Sequence, residues 1–146
     1  MLTEKDYCDY DTCVALKKMG YTEKTLAYYT SEKFFHWNRA YIYDVSIPDL
    51  ANSGNKKGYK HVVDAVSLWE AQKWLRKEKK IGVFASGFKN GYTFWVNNLL
   101  NGDTLYQGFF DNQTGEKYKS YEEALSEGIK EAIKLLKEEK NGNNRN

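Results

Sequence analysis

Apolar positions recur at two periods along this chain, and the clearest helical stretch is Ser67 to Ile81, SLWEAQKWLRKEKKI. At 3.6 residues per turn, Leu68, Ala71 and Leu75 fall in one narrow arc, which predicts a core-facing stripe with Gln72 beside it. Trp69 and Trp74 fall on opposite flanks, and only one of two such indoles can readily enter the core. Ser67 with Glu70 forms a capping box, and Val66 with Ala71 the accompanying staple. Lys73, Arg76, Lys77 and Lys80 fall mainly elsewhere, so the helix presents a cationic outer face edged by indole rings. Ser120 with Glu123 repeats the box before an unbroken stripe of Tyr121, Ala124, Leu125, Gly128, Ile129, Ala132, Ile133 and Leu136. Gly128 on that stripe predicts a close approach by another element. A first helix is predicted from Leu2 to Met19, capped by Thr3 and Asp6, stapled by Leu2 and Tyr7, and ended by a left-handed Gly20 with Tyr21 folding back on Leu16. The poor helix formers from Asp9 to Asp11 would alternatively delay its start to Asp11.

Period-two and β-prone runs fill the intervals. Leu26–Tyr29 and Phe34–Trp37 flank a polar loop of hairpin length, and Ala40–Ile47 is a third run that ends at Pro48, the only proline. Asp49 to Gly58, DLANSGNKKG, has the composition of a loop, serving either as a connection or as a binding loop. Beyond the central helix, Ile81–Lys89 and Tyr92–Leu100 flank Asn90-Gly91, a strong hairpin signal because a type I′ turn needs positive φ at both central residues. Tyr92, Phe94 and Val96 should share one face, with Thr93, Trp95 and Asn97 on the other. Asn101-Gly102 turns the chain into Thr104–Phe110, completing a meander, and Glu116–Tyr118 leaves room for a short further strand.

These elements predict an α+β fold with antiparallel sheets and three helices in the order α-β-β-(β)-loop-α-β-β-β-α, in two layers. At 146 residues the chain suits a single domain over 1–140, burying about 68 to 70% of its unfolded-chain surface. Within it lie a helix and hairpin at 1–48, a loop at 49–58 and an α-β-β-β-α unit at 59–140. The polar tail 141–146, NGNNRN, should be disordered.

Composition adds constraints on partners. Aromatic residues make up 16% of the chain, with Tyr 12, Phe 7 and Trp 4, so rings must build much of the core and its edge. Lys+Arg 22 against Asp+Glu 20 leaves a net charge of only +2, too balanced to mark a nucleic-acid binder by itself. Residues 56–80 are nevertheless basic, and the first eleven residues are acidic. Cys8 and Cys13 match no redox or zinc spacing, and on one helix they would point about 140° apart. Reduced thiols and a cytoplasmic location follow. No run approaches the roughly 18 apolar residues of a membrane span, and the acidic N-terminus lacks the apolar segment of a signal peptide.

Candidate chemistry is sparse. His36 and His61 are the only histidines, and their spacing imposes no dyad or metal site. There is no G-x-S-x-G, H-E-x-x-H, Walker loop or G-x-G-x-x-G, so no catalytic residue, metal ligand or cofactor is assigned. The α-β-β-β-α order resembles the double-stranded RNA-binding domain, but where that family starts its last helix with lysines, this chain has SYEEALSEG, whose glutamates would repel phosphate. Three segments, a first helix running into LKKMGY, SLWEAQKWLRKEKKI with its W-L-R core, and SYEEALSEGIKEAIKLL, resemble small uncharacterised proteins of prophages and conjugative elements of gut bacteria. Together they cover about a third of the chain, with Arg39–Lys60 as an addition. That resemblance implies a mobile-element accessory protein and carries over no catalytic residues.

The expectation is therefore a non-enzymatic protein that acts by binding another protein, from the host or a second copy, with Trp69, Lys73, Trp74, Arg76, Lys77 and Lys80 as the candidate surface. Two alternatives are nucleic-acid binding through the basic face of that helix and counter-defence capture of a small nucleotide in an aromatic pocket.

Overall fold

The computed structural model describes residues 2–37, 61–89, 91–108 and 118–143, with the backbone alone at residues 61 and 143. The expected strand at 40–47, the loop at 49–58, Asn90, the turn at 111–115 and residues 144–146 lie outside these. The described residues form an α+β fold of two three-stranded antiparallel sheets and three α-helices. They divide into two compact units, Met1–Ser67 and Leu68–Asn146, so the division falls at the start of the central helix.

In the first unit the predicted N-terminal helix is broken in two. The Thr3 N–H donates to Asp6 Oδ2 at 2.7 Å, but this cap closes only a 3-10 turn, Glu4–Asp6. The chain then extends so that Tyr7 pairs with Ser67 and the Cys8 N–H reaches Val66 O at 2.8 Å. Asp9 restarts the helix by accepting the Thr12 N–H at 2.8 Å, and α1 runs over Tyr10–Lys18. Local capping at Asp9 and sheet-like pairing of residues 7 and 8 thus outweigh one continuous helix. Its end follows expectation, with Gly20 at φ +108° and Tyr21 N–H bonded to Leu16 O at 2.9 Å, the Schellman arrangement.

The first sheet has β1 (Ala27–Thr30) at its centre, antiparallel to β2 (Phe35–Trp37) and to β3 (His61–Ala65), which supplies the third strand. Ala27 and Tyr29 share a face with Phe35, Trp37, Val63 and Ala65 by register, and α1 packs against β3. Cys13, Leu16, Ala65 and Val66 are all but inaccessible there. Tyr29 donates its hydroxyl to Cys8 O at 2.6 Å and meets Tyr10 and Phe35 edge to face.

In the second unit α2 (Leu68–Glu78) leads into the meander β4 (Ile81–Phe88), β5 (Gly91–Asn98) and β6 (Thr104–Gln107), and α3 (Tyr121–Asn143) closes it. Phe88 opposes Gly91, so Gly91 opens β5 and the turn lies one residue earlier than the expected Asn90-Gly91, while Gly102 holds φ +80° in the second turn. Ser120 Oγ accepts the Glu123 N–H at 3.1 Å, while the Glu123 carboxylate takes the N–H of Lys119, one residue before the cap. Helix α3 continues through Asn143, so residues 141–143, expected in a disordered tail, extend the helix instead. Both helices pack on β4, and α3 also covers β5 and touches α2. Gln72, beside the α2 stripe, donates to Val83 O at 2.7 Å, giving β4's edge a polar partner. Lys80 turns the chain from α2 into β4 at φ +56°, a left-handed conformation more usual for glycine.

Two stability outcomes follow. A Cβ at Gly128 would lie 2.6 Å from Val83 Cγ1 and 3.1 Å from the Phe94 ring. Gly128→Ala is therefore expected to lower stability by about 1 to 3 kcal/mol in thermal unfolding despite alanine's better helix propensity. In the first unit, burial first, then the neighbouring Cys13 and Glu4, raises the Tyr29 pKa well above its ordinary value. Above about pH 10 an unfolded chain releases this phenolic proton while the folded chain keeps it, so stability should fall as pH rises. Tyr29→Phe should flatten that alkaline loss in urea titrations at about pH 9 and 11, while costing about 1 kcal/mol at neutral pH.

Candidate functional site

Three places in the described structure concentrate exposed or chemically active side chains. The first is the outer face of α2, where Trp69, Lys73 and Arg76 recur at helical spacing. Trp69 is 42% exposed, and Lys73, Arg76, Lys77 and Lys80 are exposed as well. Trp74 is not on this surface: it is 7% exposed and belongs to the core with Leu68, Ala71 and Leu75. At position 74 the helix turns the indole toward the α2 stripe, and Lys79 Nζ covers it 5.4 Å from the ring centroid. Five of the six sequence-predicted residues thus remain exposed. Lys77 pairs with Glu78 at 3.8 Å in solvent, a contact of little energetic weight.

The second place is a row across the first sheet. Register sets His36 and Asp64 on either side of Tyr28, and the His36 ring stacks on Tyr28 at 5.5 Å. Adjacent strands lie about 4.8 Å apart, so the imidazole and carboxylate positions are separated by two such spacings, with a phenol between them. That distance suits a packed polar row and is too long for a direct acid–base dyad. His61 begins β3 opposite Thr30, three residues before Asp64. Among the described residues no group of three His, Cys, Asp or Glu side chains is placed to hold a metal ion.

The third place was not predicted from sequence. The second sheet has one apolar, buried face and one uncharged reverse face. Ile81, Val83, Phe94 and Val96 are buried on the helix-facing side, whereas on the reverse side β4 carries Phe84, Ser86 and Phe88, β5 carries Thr93, Trp95 and Asn97, and β6 carries Thr104 and Gln107, with Leu105 at the register shift between them. None of these residues is ionisable, although charged residues make up 29% of the chain. Phe84, Phe88 and Leu105 are 41%, 49% and 40% exposed, and Leu99 at the end of β5 is 40% exposed. The Phe84 ring and Leu99 side chain lie over Gly82, where a Cβ would be 2.6 Å and 3.0 Å from them, and Phe88 approaches Trp95 at 6.2 Å between centroids. The Phe84 ring and Leu99 thus fill the space left by Gly82, and the face as a whole is an uncharged plate in which rings alternate with Ser86, Thr93, Asn97 and Gln107. Its signal in the sequence is that β4 is apolar on both alternations, the pattern of a strand covered on two sides.

Compared with known proteins, the chain matches no family model, no curated protein and no solved structure.

The two α2 indoles should respond differently to substitution. Trp74→Ala is expected to cost about 3 to 5 kcal/mol in chemical unfolding. Trp69→Ala should stay within about 1 kcal/mol and remove a component of the fluorescence that iodide quenches; comparable destabilisation by both would contradict the burial described here.

Proposed function

We propose that this protein is a non-enzymatic accessory protein of a prophage or mobile element that acts in the cytoplasm by binding another protein, and that its contact surface is the open plate of the second sheet. The carrying observation is the uncharged reverse face of β4–β6, with Phe84, Phe88 and Leu105 each 40% exposed or more. A solvated sheet face ordinarily alternates apolar-in with polar or charged-out, and contiguous apolar patches of a few hundred Å² mark interaction sites. The mobile-element setting is supported by the resemblance carried in LKKMGY, SLWEAQKWLRKEKKI and SYEEALSEGIKEAIKLL. Two buried cysteines that form no disulfide, Cys8 and Cys13, accord with a reducing compartment, and no described helix is long and apolar enough to cross a membrane.

A second reading, nucleic-acid binding, draws on the exposed Trp69, Lys73, Arg76, Lys77 and Lys80. It is the weaker one because a single strand needs stacking rings and cations within one groove. Here α2 offers a single exposed ring, Trp69, beside its cations, while Phe84 and Phe88 lie on the sheet face turned away from α3.

Affinity capture from host lysate tests the leading reading. Wild type should retain a discrete protein, and a folded Phe84→Lys/Phe88→Lys double variant should retain at least tenfold less of it. Equal retention by both would overturn the plate as contact surface. Filter binding at about 50 mM salt tests the second reading, which predicts retention that Lys73→Ala/Arg76→Ala/Lys77→Ala abolishes and higher salt weakens steeply.

A further inference from the structure

We infer that Cys8 and Cys13 together form an oxidation site, at which a peroxide converts the two buried thiols into one intrachain disulfide. On one continuous helix the two side chains would point apart, but the chain is extended at residues 7 and 8, and α1 starts only after its Asp9 cap. Cys8 therefore stands immediately before the cap and Cys13 is the fourth residue of the helix, the two positions whose side chains meet across a helix start. Both are buried, at 1% and 0% exposure. The Cys13 thiol donates to Cys8 O at 3.6 Å, and its sulfur accepts the Val66 N–H at 3.4 Å. A disulfide needs β-carbons about 3.5 to 4.5 Å apart. With the Cys13 sulfur already against the Cys8 backbone, closure asks for a rotamer change and not for refolding.

The surrounding hydrogen bonds distinguish this pair from ordinary packed thiols. Cys8 O accepts the Tyr29 hydroxyl at 2.6 Å as well as the Cys13 thiol. When Cys13 loses its proton and turns to Cys8, that carbonyl keeps a donor, so oxidation strands no buried acceptor there. The chemistry takes two steps. Cys13, having lost its thiol proton, attacks one oxygen of hydrogen peroxide; the O–O bond breaks, hydroxide leaves, and a sulfenic acid remains. The Cys8 thiol then attacks the Cys13 sulfur, and its proton leaves with the sulfenic hydroxyl as water while the S–S bond forms. Two electrons pass from the thiols to the peroxide, which ends as water. Because neither sulfur is exposed, attack waits on local opening of the short pairing of residues 7 and 8 with 66 and 67. In a reducing compartment the dithiol is the resting form, and the disulfide records an excursion of peroxide.

Treatment of the folded full chain with hydrogen peroxide, followed by alkylation and mass measurement of the tryptic peptide 6–17 that carries both cysteines, tests this. Wild type should yield that peptide short of two hydrogens and resistant to alkylation, and dithiothreitol should restore both thiols. Cys8→Ser, which lacks the second thiol, should instead accumulate a Cys13 sulfenic acid that dimedone traps, an adduct the wild type should not form. Wild type that keeps two alkylatable thiols, that oxidises to sulfinic acid instead, or that closes the disulfide only in urea would overturn the site. The wild-type measurement decides the matter even where Cys8→Ser fails to fold.

Discussion

The absent side chain at Gly128 governs how the second unit is built. It lets α3 approach until the helix backbone nearly touches Val83 and Phe94, and that contact seals one face of the β4–β6 meander with Val83, Phe94, Val96, Leu125 and Ile129 close to zero exposure. Both helices of this unit are engaged on that side, and the alternate positions carry Phe84 and Phe88 at 40% exposure or more, and on none of the three strands do they include an ionisable side chain.

Much of this was legible because it is encoded locally. The Leu68/Ala71/Leu75 stripe, the Ser120–Glu123 cap, the Gly20 stop and a tight hairpin between β4 and β5 each depend on residues within one turn of helix or one short loop, and the described elements follow them, with Gly91 opening β5 rather than sitting inside the turn. The longer reading of the first helix fails because its Thr3–Asp6 cap is real but starts only a 3-10 turn, whereas the alternative start at Asp11 lies one residue from the observed Tyr10. What stops that turn is a tertiary pairing with residues 66 and 67, far along the chain. The partner of β1 was equally out of reach, since β3 lies more than thirty residues downstream. Trp69 and Trp74 were recognised as alternatives, but 3.6-residue periodicity assigns flanks and not depth, and only the packing of α2 decides that Trp74 is the buried one.

The candidate site was the least legible part. A cationic helix face draws notice in a sequence because charges are conspicuous, whereas a candidate surface of Phe84, Phe88, Trp95 and Leu105 is composed of the same residues as a core. It becomes visible only when strand register separates the two alternations and one set proves exposed. The polar row of Asp64, Tyr28 and His36 shows the converse: residue types that suggest chemistry are brought onto one face by β1–β3, yet their two-strand spacing makes them neighbours in packing rather than an acid–base pair.

The central claim, that the uncharged reverse face of the second sheet is the surface through which this protein makes contacts, is tested most directly by two-dimensional NMR of the labelled protein, first across a concentration series and then titrated with the protein captured from host lysate. The account predicts shifts concentrated on β4–β6, at Phe84, Ser86, Phe88, Trp95 and Leu105, with Trp69, Lys73 and Arg76 on α2 unmoved. Shifts confined to α2, or a β4–β6 face unchanged at every concentration and on addition of any captured partner, would contradict it.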